Sequence, residues 1–227
     1  MRNILCIIPA RSGSKSILHK NIKYYKDKPL IAWTIEQALQ CKYISRIIVS
    51  TDSQEYADIA IKYGADVPFL RPIEISLDDS LDYSCMYHCI KWLEYNENYI
   101  PDIILHLRCT YPTRKIDDIN NALNIFINNY DNYDSLRSII ECTSAYKMYN
   151  INNNNLVPLF NSVNNIQEPY NSLSQLLPKC YLHNGYIDIF NAKLINDNTI
   201  SGKNIYPYIM DSTDNINIDE HSDWIIL

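Results

Sequence analysis

The chain is predicted to be an α/β protein built on a doubly wound, mainly parallel sheet. Three observations carry the prediction. Short apolar runs recur without polar alternation, as expected of strands covered on both faces. Segments with helical spacing of their apolar residues fall between them, and strand, helix, strand, helix in succession implies parallel crossovers. Polar segments also stand after the strands, where ligands bind on such sheets.

Taken in order, Asn3 to Ile8 is the first apolar strand. After a polar loop, Pro29 opens a helix with Ile31, Ala32, Ile35 and Leu39 on one side; Pro suits a first turn, where its missing N–H is not needed. Arg46 to Ser50 is a second strand. Ser53 starts a helix to about Tyr63, closed by Gly64. A Pro-rich loop runs from Val67 to Asp79, then a helix from about Leu81 to Tyr95 and a strand from Ile103 to Leu107. A helix over about Ile116 to Asn129 and a strand from Leu136 to Glu141 complete the alternation. The pattern then breaks, and residues 143–179, rich in Asn, are expected to leave the sheet as a hairpin arm. Strands resume at Tyr186 to Phe190 and Ile205 to Met210, and Ser222-Asp-Trp224 starts a last short helix. No linker or repeat divides the 227 residues, so a single domain with this arm inserted is expected.

Composition narrows the function. A net charge of −6 argues against nucleic acid or an anionic membrane as partner, because either needs a basic face. No segment approaches the ~20 apolar residues of a membrane span, and no leader is visible at the first residue. Seven scattered cysteines suit reduced thiols in a cytoplasmic protein. Cys85, His88 and Cys89 share one segment, but no second cluster supplies a fourth metal ligand, so they are read as buried helix residues.

The loop after the first strand carries the chemistry. In Pro9-Ala10-Arg11-Ser-Gly-Ser14-Lys15-Ser-Ile-Leu-His19-Lys20-Asn21, a strand-end turn around Gly13 can aim backbone N–H groups at phosphate. Arg11, Lys15 and Lys20 add three cations with no acid in the same segment, the compensation a departing pyrophosphate needs. The spacing is neither that of a P-loop nor G-x-G-x-x-G. His19 could contact phosphate or face solvent. Asp78, Asp79 and Asp82 could approach a ribose or metal, or favour a helix N-terminus. His183 could line a pocket or face water.

This loop resembles the N-terminal motif of acylneuraminate cytidylyltransferases, the CMP-sialic acid synthetases, which reads I-P-A-R-x-G-S-K-G-I-x-x-K-N. Lys28 to Ile35, Ile48 to Asp52, Val67 to Pro72, Tyr181 to Ile187 and Ile216 to Asp219 with Asp223-Trp224 resemble later family blocks, in order. The resemblance implies a Rossmann-like nucleotidyltransferase fold and a homodimer formed by exchanging the arm. It implies Mg²⁺-dependent coupling of CTP to the anomeric hydroxyl of a nine-carbon 2-keto sugar acid, with release of pyrophosphate. It places Arg11, Lys15 and Lys20 on the triphosphate, Ala10, Ser14 and Asn21 at the nucleotide, and Arg71 at the base. Arg108, Thr110, Gln175 and Asn184 would meet the sugar, and Asp219 with Asn217 the metal.

Four departures stand out, three of them outside the nucleotide loop. Arg108-Cys-Thr-Tyr-Pro-Thr-Arg114 stands for Q-P-T-S-P-L-R, and Asn217-Ile-Asp219 for D-x-D, which loses one anionic ligand. Ser174-Gln175-Leu-Leu-Pro178 replaces R-Q-x-L-P, and Ser16 replaces a glycine. A nucleotidyltransferase for another sugar or a sugar 1-phosphate, and a non-catalytic nucleotide-binding relative, are therefore the competing readings.

Overall fold

The computed structural model describes residues 2–211, 217–220 and 222–226. Strands β1 (Ile4–Pro9), β2 (Tyr24–Tyr25) and β3 (Lys28–Pro29) precede helix α1 (Leu30–Leu39). Then come β4 (Arg46–Ser50), α2 (Gln54–Lys62), α3 (Asp82–Glu97), β5 (Ile103–His106), α4 (Ile116–Asn128) and β6 (Ser135–Cys142). Four short strands follow, β7 (Tyr149–Asn152), β8 (Asn155–Pro158), β9 (Ser162–Val163) and β10 (Ile166–Gln167). The chain closes with β11 (Cys180–Asn191), β12 (Ile205–Met210) and α5 (Asp223–Ile226).

The main sheet has the order β12-β6-β11-β5-β1-β4. All its pairings are parallel except those of β11, which runs antiparallel to both β5 and β6. Alternation along β1 shows why an unbroken apolar run is required here. Ile4, Cys6 and Ile8 pack with Ile31 and Ile35 of α1, Tyr56 of α2 and Ile119 of α4. Leu5 and Ile7 pack on the opposite face with Met86, Cys89 and Leu93 of α3. Each such side chain, fully buried, contributes about 1.5–3 kcal/mol, so a polar residue on either phase of β1 would break a core layer.

Most predicted elements stand within two residues of their expected bounds. Three details differ. Leu39 is 52% exposed, and Ala38 completes the buried stripe of α1 instead. Leu81 precedes α3 as its cap rather than starting it. β11 begins at Cys180, six residues before the expected Tyr186, because its first half pairs with β6 beyond the core, where exposed residues leave no burial pattern to read.

Between β6 and β11 the chain leaves the sheet. β7–β8 and β9–β10 are hairpins turning on Asn153-Asn154 and Asn164-Asn165, all four at positive φ. Two-residue turns of that hand need residues tolerant of the left-handed region, which Asn is. Ile151, Leu156 and Leu173 on this excursion are more than two-thirds exposed.

Candidate active site

The pocket lies at the carboxyl ends of β1 and β5, with a volume of about 510 Å³. Arg11, Asn21, Arg71, Arg108, Thr110, Asn184, Asn217 and Asp219 line it together, although they span more than 200 positions of sequence. Ala10, Ser14, Lys15 and Lys20 belong to the same loop but do not line the cavity. Gln175 is exposed on the excursion and is not brought to it.

At the Arg11 end, the loop is held by apolar contacts and short polar side chains rather than by its cations. Ile17 is buried against Tyr25, Leu30 and Ile218, with Trp33 and Trp224 alongside. The Ser12 amide and hydroxyl donate to Asp52 at 2.8 and 2.7 Å, and Asn21 Nδ2 donates to the Arg11 carbonyl at 3.1 Å. Arg11 and Lys15 both reach Asp78 at 2.5 Å. These two cations hold the Asp78 carboxyl below its usual range, Lys15 foremost. Lys15 is 83% exposed, and solvent screens such a pair, so it holds the loop less than the burial of Ile17 does. The cations are thus available to a ligand. His19 is exposed, with Nδ1 3.4 Å from the Tyr56 hydroxyl.

Arg71 is buried, and its amide donates to the Thr51 carbonyl at 2.7 Å. Among the described residues its Nε and Nη2 have no hydrogen-bond partner, an unusual state for a buried guanidinium that faces a cavity. Asn217 Oδ1 is likewise buried and has no partner among the described residues. Its Nδ2 donates to Asp219, whose other oxygen pairs with Lys20 at 2.9 Å, and the Ile218 amide donates to the Thr110 carbonyl at 2.9 Å. Residues 217–219 therefore sit between the loop lysine and the sugar end; Ile216, which begins that block in sequence, lies outside the described residues.

The end of the pocket beside Arg108 contains charge that sequence reasoning missed. His106 on β5 and Arg137 on β6 are the direct cross-strand partners of Asp188 on β11. Opposed residues in antiparallel strands share a face, so the three side chains stand abreast. Asp188, fully buried, accepts from Arg108 Nη1 at 2.7 Å and His183 Nε2 at 2.7 Å, with Arg137 Nη1 at 3.1 Å. Burial alone would raise its pKa, but the His183 bond and the Arg137 and Arg108 charges hold it well below the ordinary range. Arg108 Nη2 also meets Asp82 in the first turn of α3 at 2.8 Å. Burial pushes His106 down to about 4, so it is neutral near pH 7. The available signal was an ionisable residue, His106, Arg137 or Asp188, set among the apolar residues of each of three strands.

Arg114 is structural by comparison. Its three nitrogens donate to the Tyr186 carbonyl, Gln37 Oε1 and the Arg108 carbonyl at 2.8, 3.0 and 2.8 Å. It holds the 108–114 turn while Arg108 faces the pocket. Gly185 makes room for that guanidinium: at φ 73° it occupies the left-handed region, and a Cβ there would lie 2.5 Å from Arg108 Nη1. Cys85 and Cys89 are buried on α3, with burial raising both thiol pKa values; His88 packs edge-on to Phe69. Among the described residues no His, Cys, Asp and Glu group forms a metal cluster.

A cation-bearing loop at the carboxyl edge of a doubly wound sheet, opening into one pocket with an acceptor end, defines a nucleotidyltransferase. The chain belongs to the cytidylyltransferase family, whose profile matches residues 5–160. It is 35% identical over 181 residues to pseudaminic acid cytidylyltransferase of Campylobacter jejuni, covering 80% of this chain and 75% of that one. It is 31% identical over 228 residues to CMP-N,N'-diacetyllegionaminic acid synthase of the same species, covering 100% of this chain and 94% of that one. The structure of CMP:2-keto-3-deoxy-manno-octonic acid synthetase complexed with CTP superposes with a TM-score of 0.70 at 14% identity, covering 97% of this chain and 94% of that one. That likeness establishes the nucleotidyltransferase fold.

Proposed function

We propose that the protein transfers CMP from CTP to a nine-carbon 2-keto sugar acid of the pseudaminic, legionaminic or sialic type. The observation that carries this reading is the continuity of one pocket from the phosphate loop to Arg108 and Asn184. In that reading Arg11, Lys15 and Lys20 bind the triphosphate and stabilise charge on the departing pyrophosphate, while Arg71 meets the base. Asn184 is fixed by the Ser138 hydroxyl at 2.6 Å and orients the acceptor, whose anomeric hydroxyl attacks the α-phosphorus in line. Most of the acceleration then comes from positioning and charge stabilisation rather than from a strong base.

Mg²⁺ suits the donor set as a partial site. Asp219 and the unpartnered Asn217 Oδ1 offer hard oxygens, and Mg²⁺ commonly takes one or two protein ligands beside phosphate and water. When bound, the ion neutralises phosphate charge. Lys20, now paired with Asp219, would turn to the phosphates. A homodimer completes the reading: the excursion carrying Gln175 exposes apolar side chains and supplies no residue to its own pocket, which suits an arm reaching a partner.

Pyrophosphate release over a panel of nucleotides and sugars with Mg²⁺ tests the proposal. Turnover only with CTP and a 2-keto sugar acid is expected. Turnover with a sugar 1-phosphate would replace the acceptor, and none with any pair would leave a nucleotide-binding protein without this activity.

A further inference from the structure

The buried charges behind the pocket wall have no part in the transfer described above. On β11, Asp188 stands between His106 and Arg137 at the one antiparallel strand of the sheet. The β11 register shifts between His183 and Asp188, and this irregularity turns His183, Asn184 and Gly185 to the pocket. Two pocket-lining donors, Arg108 and His183, meet at the same carboxylate, one on each oxygen. Arg108 uses one Nη1 hydrogen on Asp188, the other on the Gly185 carbonyl at 3.0 Å, and one Nη2 hydrogen on Asp82. Among the described residues its Nε–H and second Nη2–H have no partner, and guanidinium N–H groups suit a carboxylate.

We propose that Asp188 is a positioning residue for the acceptor: from inside the sheet it fixes Arg108, with His183 held on its other oxygen, so that the free N–H groups of Arg108 meet the carboxylate end of the sugar acid. This rests on the reading of the chain as a sugar-acid cytidylyltransferase. The argument is one of rotamer freedom. Arg108 replaces a shorter neutral residue of the related motif, and a long side chain at a pocket wall would otherwise sample several rotamers, each at an entropic cost to binding. Held by Asp188, Asp82 and the Gly185 carbonyl, it presents one edge. Two carboxylates, Asp82 and Asp188, balance two guanidiniums, Arg108 and Arg137, so the wall supplies directed hydrogen bonds rather than a strong positive field. That arrangement discriminates by geometry, which separates sugar acids from other anions better than net charge does.

The test is Asp188→Asn, which keeps the shape and removes the charge. With pseudaminic, N,N'-diacetyllegionaminic or N-acetylneuraminic acid, whichever the wild type uses, sugar KM should rise at least tenfold while the directly measured Kd for CTP stays within twofold. Arg108→Ala should raise sugar KM similarly, and adding Asp188→Asn to it should change KM less than threefold more. A sugar KM within twofold of wild type in Asp188→Asn, or equal losses for CTP and sugar, overturns the proposal. If Asp188→Asn does not fold, Arg108→Lys is decisive, since it keeps the charge facing Asp188 and loses the fork. Its sugar KM should rise at least tenfold, and an unchanged value overturns the positioning role. Wild-type protein that binds CTP and turns over none of these acids would instead sink the reading on which the proposal rests.

Discussion

The two ends of the pocket hold their cations in opposite ways. At the nucleotide end, Arg11 and Lys15 are partly or largely exposed and lean on Asp78, an acid at the rim. At the sugar end, Arg108 is held by Asp188, which is buried between two strands. A triphosphate carries enough charge to recruit flexible lysines and displace a rim carboxylate, whereas a sugar acid offers one carboxylate and must find its donor already aimed. The difference teaches that charge density at one end and pre-organisation at the other can serve the two halves of one transfer.

Arg71 breaks this comparison most sharply, because it stands at the nucleotide end yet is buried. Its Nε and Nη2 lack partners in the unliganded protein. A hydrogen bond to a charged group contributes about 1.5–3 kcal/mol, so Arg71→Ala should weaken CTP binding by about tenfold to a hundredfold. Calorimetric titration with CTP measures it. The unliganded Tm should not fall, since the substitution removes a buried charge that forms no ion pair among the described residues. A loss of affinity below threefold, or a collapse of Tm, would show that Arg71 supports the fold rather than the base.

The legibility of the two ends follows the same division. The nucleotide loop was readable because its residues are contiguous: a strand end, a turn and three cations within eleven positions. β1, β4 and β5 were readable because parallel strands buried on both faces must be apolar throughout. Asp188, His106 and Arg137 come from three strands far apart in sequence, and only register places them abreast. Nor could sequence separate Arg108 from Arg114 in one seven-residue block; burial and three internal acceptors make Arg114 structural.

The sugar end should announce itself in the pH dependence of stability. Folded His106 takes up its proton only near pH 4, while in the unfolded chain it does so near 6.5. Between these values the unfolded state binds more protons, so stability is complete above pH 6.5 and declines as the pH falls toward 4. The upper bound of that decline is about 3 kcal/mol from a shift of this size. Asp82 and Asp188, which face the same ring with Arg108 and Arg137, both have lowered pKa values and so add no opposing titration within the window. His106→Gln should therefore flatten the Tm profile between pH 6.5 and 4. An unchanged slope would mean that the ring is hydrated and that the buried network is less dry than the strand register implies.

Asn217 sharpens the comparison with the smallest effect, at the seam between the two ends. A neutral amide oxygen stands where the resembled motif has a carboxylate, beside Asp219 and the ammonium of Lys20. Mg²⁺ favours anionic oxygen, yet it also draws ligands from phosphate and water, so one protein charge changes its affinity only in part. Asn217→Asp should lower the Mg²⁺ concentration for half-maximal stabilisation of the CTP complex by about threefold to tenfold, read as a Tm titration at fixed CTP. With Mg²⁺ and CTP absent, the added carboxylate faces Asp219 at close range, and like charges there are repulsive despite Lys20. The unliganded Tm should thus fall slightly while the metal-bound form gains. A metal titration identical to wild type would place Asn217 outside the ion's shell.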